Sequence, residues 1–143
     1  MKVIYSRYGN LRLVPYVQFL YAKAKFPNTK LFVYNDHMKK VNSEKEISNA
    51  DYIWISFKDF GETLPSTWDD NDMLDYEFYI KVRHDPLLIK TIEDYGIENC
   101  GDEPNVVLIA EINEPYVIMG NEMGEYVMTM SSVKWQGTEL LNN

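Results

Sequence analysis

The sequence predicts an α+β fold: a single domain with a six- to seven-stranded, mainly antiparallel sheet packed against two α-helices. Three observations lead there. Short runs rich in β-branched and aromatic residues recur along the 143-residue chain, bounded by Gly, Asn, Asp or Pro. Two longer stretches, 13–25 and 86–95, instead repeat apolar residues at helical spacing. Most connections are short enough for hairpins, and the element order reads β-α-β-β-β-α-β-β-(β).

Val3-Ile4-Tyr5-Ser6-Arg7-Tyr8 is the first strand, broken by Gly9-Asn10. The first helix follows, apolar at 13, 16, 17, 20 and 24, with Pro15 in its first turn and Pro27-Asn28 beyond its end. Lys30-Leu31-Phe32-Val33-Tyr34 is a second strand. Residues 38–50 are polar and read as a solvated loop, with room for a helical turn after Asn42 or Ser43. Tyr52-Ile53-Trp54-Ile55-Ser56-Phe57 is a third strand. Residues 58–75 form a long acidic loop, of the kind that is functional or mobile in compact domains. Tyr76-Glu77-Phe78-Tyr79-Ile80-Lys81-Val82 alternates, predicting a fourth strand. In the second helix, Asp85 is the N-cap, Pro86 sits at N1, and Leu88, Ile89, Ile92 and Tyr95 make one stripe. Gly96 ends it. After a turn at 99–104, the run from Val106 to Ile112 is the most continuously apolar, which predicts a central strand. Asn113-Glu114-Pro115 turns the chain into a strand over 116–119, and 120–124 turns it into a seventh over 125–130. The tail from about 131 is weakly patterned apart from Val133 and Trp135. There is no repeat or linker, so residues 1–143 read as one domain.

Composition narrows the function classes. Hydrophobic residues at 45% and charged residues at 25% are ordinary for a soluble globular chain. Eleven Tyr, six Phe and three Trp suit strands, interfaces and base-stacking pockets alike, with strands and core expected to take most of them. The net charge of −8 and pI of about 4.7 disfavour a nucleic-acid backbone as partner. A small anion stays open, since a pocket needs only a local cluster of donors. Inhibitors of basic machinery also stay open. Cys100 is the single cysteine, so no internal disulfide forms, which fits a reducing cytoplasm. No zinc pattern, signal-peptide pattern or membrane-length apolar run is present, and no cofactor is implied.

Two places carry candidate donors. Arg83 and His84 precede the second helix, where free N–H groups and the macrodipole favour an anion. That is either a phosphate site or only a well-capped core helix. Arg7, Tyr8, Asn10 and Arg12 cluster around the glycine turn before the first helix. Together the two junctions suit a ligand with phosphates, ribose and a base, if guanidinium groups take the phosphate and tyrosines stack the base. Alternatively, these arginines are surface residues covering the core edge. Asp69-Asp70-Asn71-Asp72 with Asp75 lacks the glycine and the distal glutamate of a cation loop, so it reads as solvated. His37 and His84 are the only histidines. A hydrolase built on His84 and Asp85 lacks any sequential nucleophile, and no GxSxG, HExxH, P-loop or GxGxxG occurs.

From Arg83-His84-Asp85-Pro86-Leu87-Leu88-Ile89 to Ile92-Glu93-Asp94-Tyr95-Gly96, the chain resembles a family of small phage and prophage proteins with an R-x-D-P-x-L-(I/V)-x-x-(I/V)-E-x-x-G pattern. Leu108-Ile109-Ala110-Glu111-Ile112 and the hairpin around Asn121–Val127 continue it. The family's opening Tyr-Gly-Gly-Phe is changed here to Tyr8-Gly9-Asn10-Leu11, and its basic-aromatic ending is faintly echoed by Lys134-Trp135. Size and element order also resemble the anti-Thoeris phage proteins, which sequester cyclic ADP-ribose isomers made by bacterial TIR-domain enzymes. That resemblance implies a homo-oligomeric, non-enzymatic binding protein acting in the host bacterial cytoplasm. Arg7, Asn10, Arg12, Arg83 and His84 are then expected as ligand donors and Tyr8 as a stacking ring. The alternative expectation is an acidic protein–protein inhibitor, such as an anti-CRISPR.

Overall fold

The structure, a computed structural model, describes residues 1–75, 77–121 and 123–129. Its elements are β1 (Lys2–Ser6), α1 (Pro15–Lys25), β2 (Phe32–Asn35), β3 (Lys40–Val41), α2 (Glu44–Asn49), β4 (Ile53–Ser56), α3 (Pro86–Tyr95), β5 (Val107–Glu111), β6 (Tyr116–Asn121) and β7 (Gly124–Thr129). The class is α+β with antiparallel pairing throughout, as expected. The sheet is not. Strands divide into a β1–β5 pair, a β3–β2–β4 sheet and a β6–β7 hairpin. Among the described residues no helix is long and apolar enough to cross a membrane.

The sheet stops at β1 for a reason that can be named. Among the described residues its edge opposite β5 forms no ladder with another strand. Instead the Ile4 N–H donates to the Arg83 carbonyl at 3.1 Å, and the Ser6 N–H donates to Glu125 Oε1 at 3.0 Å. Edge amides satisfied by a turn and a side chain leave nothing to template a further ladder. β5, expected at the centre, pairs only with β1 among the described residues.

The expected fourth strand is also absent. Residues 77–79 form a turn and Ile80–Val82 a 3₁₀ turn; Tyr76 lies outside the described residues. Asp75 starts this: its side chain accepts the Glu77 N–H, its carbonyl accepts the Phe78 N–H, and Lys81 pairs with its carboxylate at 2.5 Å. The tight turn lets consecutive aromatics go inward, which a strand forbids. Phe78 stacks on Tyr21 with centroids 5.4 Å apart, and Tyr79 joins the core beside Leu13, Val17 and Leu88.

The helices follow their sequence signals more closely. Pro86 opens α3 behind the Asp85 cap, whose side chain accepts the Leu87 N–H at 3.0 Å. Leu88, Ile89 and Ile92 are buried against α1, which contributes Val17 and Tyr21. Gly96 ends α3 at φ +103°. The helical turn expected after Asn42 or Ser43 is α2, a third helix. Its Ser43 Oγ accepts the Glu46 N–H, an N-cap, and donates to the Glu46 carboxylate. The acidic loop is packed: Leu64 and Met73 are buried with Tyr34, whose hydroxyl accepts the Phe60 N–H and donates to the Gly61 carbonyl. The predicted tail from 131 lies outside the described residues.

The hairpin meets β1 through a glycine. A Cβ on Gly124 would lie 2.3 Å from the Arg7 carbonyl oxygen, and φ there is +140°. Gly61, at φ +86°, has nothing within 4 Å of such a Cβ. Gly124→Ala is therefore expected to cost about 2–4 kcal/mol in urea unfolding, and Gly61→Ala only about 1–2 kcal/mol. Equal losses in the two variants would show that the close approach of β7 to β1 is not required.

Candidate functional site

The two junctions singled out in the sequence face different surroundings. At the first, Asn10 and Arg12 line a cleft of about 600 Å³ together with Gln18, Tyr52, Trp54, Tyr79 and one carboxylate, Glu77. The segment between β1 and α1 supplies the polar rim, β4 supplies Trp54, and the turn after Asp75 supplies Tyr79. Asn10 and Arg12 also line an adjoining hollow of about 280 Å³ that includes Tyr8 and Gly9. Tyr8 is 61% exposed. Arg12 is half-exposed. It donates through Nη2 to the Asp51 carbonyl at 2.6 Å, and its Nε lies 3.7 Å from Asp102; a guanidinium has five N–H donors in all. Arg7 is exposed and lines neither space; its backbone N–H is held by the Val106 carbonyl at 2.8 Å.

The aromatic wall has an ordered geometry. Tyr52 and Trp54 meet edge to face at 6.1 Å, and Trp54 meets Trp68 at 5.2 Å on its other side. Tyr79 accepts the Leu13 N–H with its hydroxyl oxygen at 3.4 Å. Burial raises its pKa, so the phenol keeps its proton and can donate it. The Trp54 indole N–H is buried and has no hydrogen-bond partner among the described residues. Such walls take flat rings by stacking, with the polar rim fixing orientation. Gln18, Tyr52, Trp54 and Tyr79 carried no individual signal in the sequence; only the surplus of aromatics pointed their way.

The second junction is committed to the fold. Arg83 is 6% exposed. Its Nη1 and Nη2 donate to the two Glu125 carboxylate oxygens at 2.7 and 3.0 Å, and its Nε donates to the Ile80 carbonyl at 3.2 Å. Glu125 sits 42 residues away and is equally buried. A bidentate pair of this kind uses the guanidinium geometry fully. The anion that Arg83 meets is thus internal. His84 lies beside it, with Nδ1 2.6 Å from the Tyr116 hydroxyl, and lines a separate groove with Met1, Lys2 and Pro86. The cleft at Arg12 includes neither Arg83 nor His84.

Other reactive groups are equally occupied. Burial, helped by Glu98, pushes the Cys100 thiol up to about 12, and it donates to the Gly96 carbonyl. Asp85 accepts the Tyr21 hydroxyl at 2.5 Å and Lys25 at 3.0 Å as well as capping α3. Burial acts to raise its pKa, but the bonds from Tyr21, Leu87 and Lys25 outweigh it and the net shift is downward. Exposed His37 stands 3.5 Å from Asp36. Among the described residues no group of three or more His, Cys, Asp or Glu could hold a metal ion. No family model matches the chain, and no curated protein or solved structure matches it significantly.

Two outcomes follow from these pairings. Glu125→Ala leaves a buried guanidinium unpaired and should cost about 3–5 kcal/mol. Arg83→Met combined with Glu125→Gln removes the stranded charge and should recover about half, as read by chemical denaturation. A double variant as unstable as Glu125→Ala would mean the pair is not the source of the loss. Asp85→Asn keeps the cap through Oδ1, but its NH2 replaces the oxygen that accepts from Tyr21 and Lys25, so it removes the charge and both of those bonds as they stand. Because the folded Asp85 pKa is depressed, wild type should exceed the variant in stability above about pH 4. The gap should narrow as pH falls through the lowered folded value. A gap independent of pH between 2 and 7 would argue against the Lys25 pairing.

Proposed function

We propose that the chain is a non-enzymatic binding protein that holds a nucleotide-type ligand in the Arg12–Tyr79 cleft. One observation carries this reading: a polar rim of Asn10 and Arg12 stands over a wall built from Tyr52, Trp54 and Tyr79. A base stacks on the rings, the guanidinium and Asn10 take the phosphate or ribose oxygens, and Gln18 reads a polar edge. The occupied state of Cys100, Asp85 and His84 supports holding over transforming. With the resemblance to small phage proteins, the ligand of choice is a cyclic ADP-ribose-type signal. The role is then that of a phage counter-defence sponge acting in the host cytoplasm as a homo-oligomer. Tyr8, on the smaller hollow, is an auxiliary stacking ring; Arg7 lines neither space and is left out of the site, and Arg83 and His84 act through the fold.

The acidic-inhibitor reading keeps one specific support. Asp69 and Asp70 are exposed and form no ion pair among the described residues, so a basic partner could meet them directly.

Incubating the whole chain with a cyclic ADP-ribose isomer, removing it by filtration and heating the protein tests both. Release of intact ligand is expected. Tyr52→Ala and Arg12→Gln should each weaken binding by about tenfold or more, with thermal unfolding little changed. Release of a cleaved product would make the chain an enzyme. No depletion, together with a host protein co-purifying only while Asp69, Asp70 and Asp72 are intact, would favour the inhibitor.

A further inference from the structure

We infer that the hollow between α1, β2 and β3 is a second anion site, which takes a diphosphate group through Lys23, Lys30 and Lys40. It is carried by residues outside the Arg12 cleft and stands whether or not that cleft binds a nucleotide.

The hollow measures about 360 Å³, and its lining includes Phe19, Phe32, the three lysines and two carboxylates, Glu44 and Asp59. Each ammonium is placed by a ring. Lys23 Nζ lies 5.3 Å from the Phe19 centroid. Lys30 and Lys40 lie 5.4 and 5.2 Å from the Phe32 centroid. Aromatic faces attract ammonium groups, so the rings hold these long side chains where a free lysine would wander.

Charge makes the cluster notable. The chain carries 22 carboxylates against 14 lysines and arginines, yet Lys23 and Lys30 form no ion pair among the described residues. Lys40 alone has a partner, Asp59 at 2.6 Å. Asp59 already meets one of the three ammonium groups, and the repulsion left between Lys23 and Lys30 is relieved by a further anion. Compact ammonium groups with three donors each suit tetrahedral oxyanions bearing several charges. Because the rings already carry ammonium groups, the hollow takes the charged part of a ligand and not a base. Free pyrophosphate and the diphosphate of a nucleotide share this chemistry.

Calorimetric titration of the whole chain with inorganic pyrophosphate, and separately with ADP, tests the site. Binding is expected to weaken as NaCl is raised. Lys23→Gln with Lys30→Gln should weaken it at least about tenfold, whereas Lys45→Gln, a surface lysine outside the hollow, should leave it unchanged. Asp59→Asn removes the competing charge while keeping an oxygen for the Gly61 N–H, and should tighten binding. Equal affinity for pyrophosphate and ADP identifies the free diphosphate as sufficient. Binding of ADP alone, still lost in the lysine double variant, identifies the nucleotide as the source. No binding of either at millimolar concentration, or binding that the double variant leaves intact, overturns the site.

Discussion

The buried pair between Arg83 and Glu125 sets the terms for the rest of the molecule. Two charges removed from water are costly, and the attraction between them offsets that only when every donor and acceptor is used. Here the guanidinium meets both carboxylate oxygens and the Ile80 carbonyl, and the carboxylate takes the Ser6 N–H as well. The turn before α3, the edge of β1 and the β6–β7 hairpin thereby meet at one point. Gly124 permits the approach, since any side chain there would collide with the Arg7 carbonyl. The hairpin has little apolar core of its own: Val117, Met119 and Tyr126 on its outer face are exposed. Its attachment through a charged pair is consistent with that.

One consequence is the division of the sheet. β1 spends its outer amides on Arg83 and Glu125, so the ladder that alternation at 76–82 predicted has no edge to join. Residues 77–82 instead wind into turns and send Phe78 and Tyr79 into the core together. A second consequence is Tyr79 itself. Carried by this turn, it stands at once in the main core and on the wall of the Arg12 cleft. The candidate site is therefore shaped by the same turn that replaces the strand.

What the sequence could and could not reveal follows from the range of each interaction. The α3 unit was readable because its determinants are local: Asp85 caps the helix that Pro86 opens and Gly96 closes, all within a dozen residues. The turn expected after Asn42 or Ser43 also has a local determinant, the Glu46 N–H bonded to Ser43 Oγ, although the rest of 38–50 read as a solvated loop. Arg83 was read as facing outward to an anion. The chemistry was right and the anion was Glu125, 42 residues on, which no local pattern discloses. Alternation at 76–82 failed because period two also fits a turn whose inward residues happen to be adjacent aromatics. Asn10 and Arg12 were visible as polar groups at a turn. Tyr52 and Trp54 looked like any strand residues, because their role depends on which segment lies opposite.

The distribution of cations sharpens the functional reading. Lys2, Lys25, Lys40, Lys81, Lys90 and Arg83 each meet a carboxylate, as expected where acids are in excess. Arg12 is held more loosely, by a carbonyl and a carboxylate at 3.7 Å, beside three aromatic rings. A cation that stays under-paired in a field of −8 is either solvated or waiting for an anion. Water alone does not account for the rings gathered next to Arg12, since an exposed guanidinium needs no aromatic wall to remain hydrated. Rings and guanidinium in one cleft are the two kinds of group that the proposed nucleotide would need, one for its base and one for its phosphate, and Glu77 on the same lining is the group that such a phosphate would have to avoid.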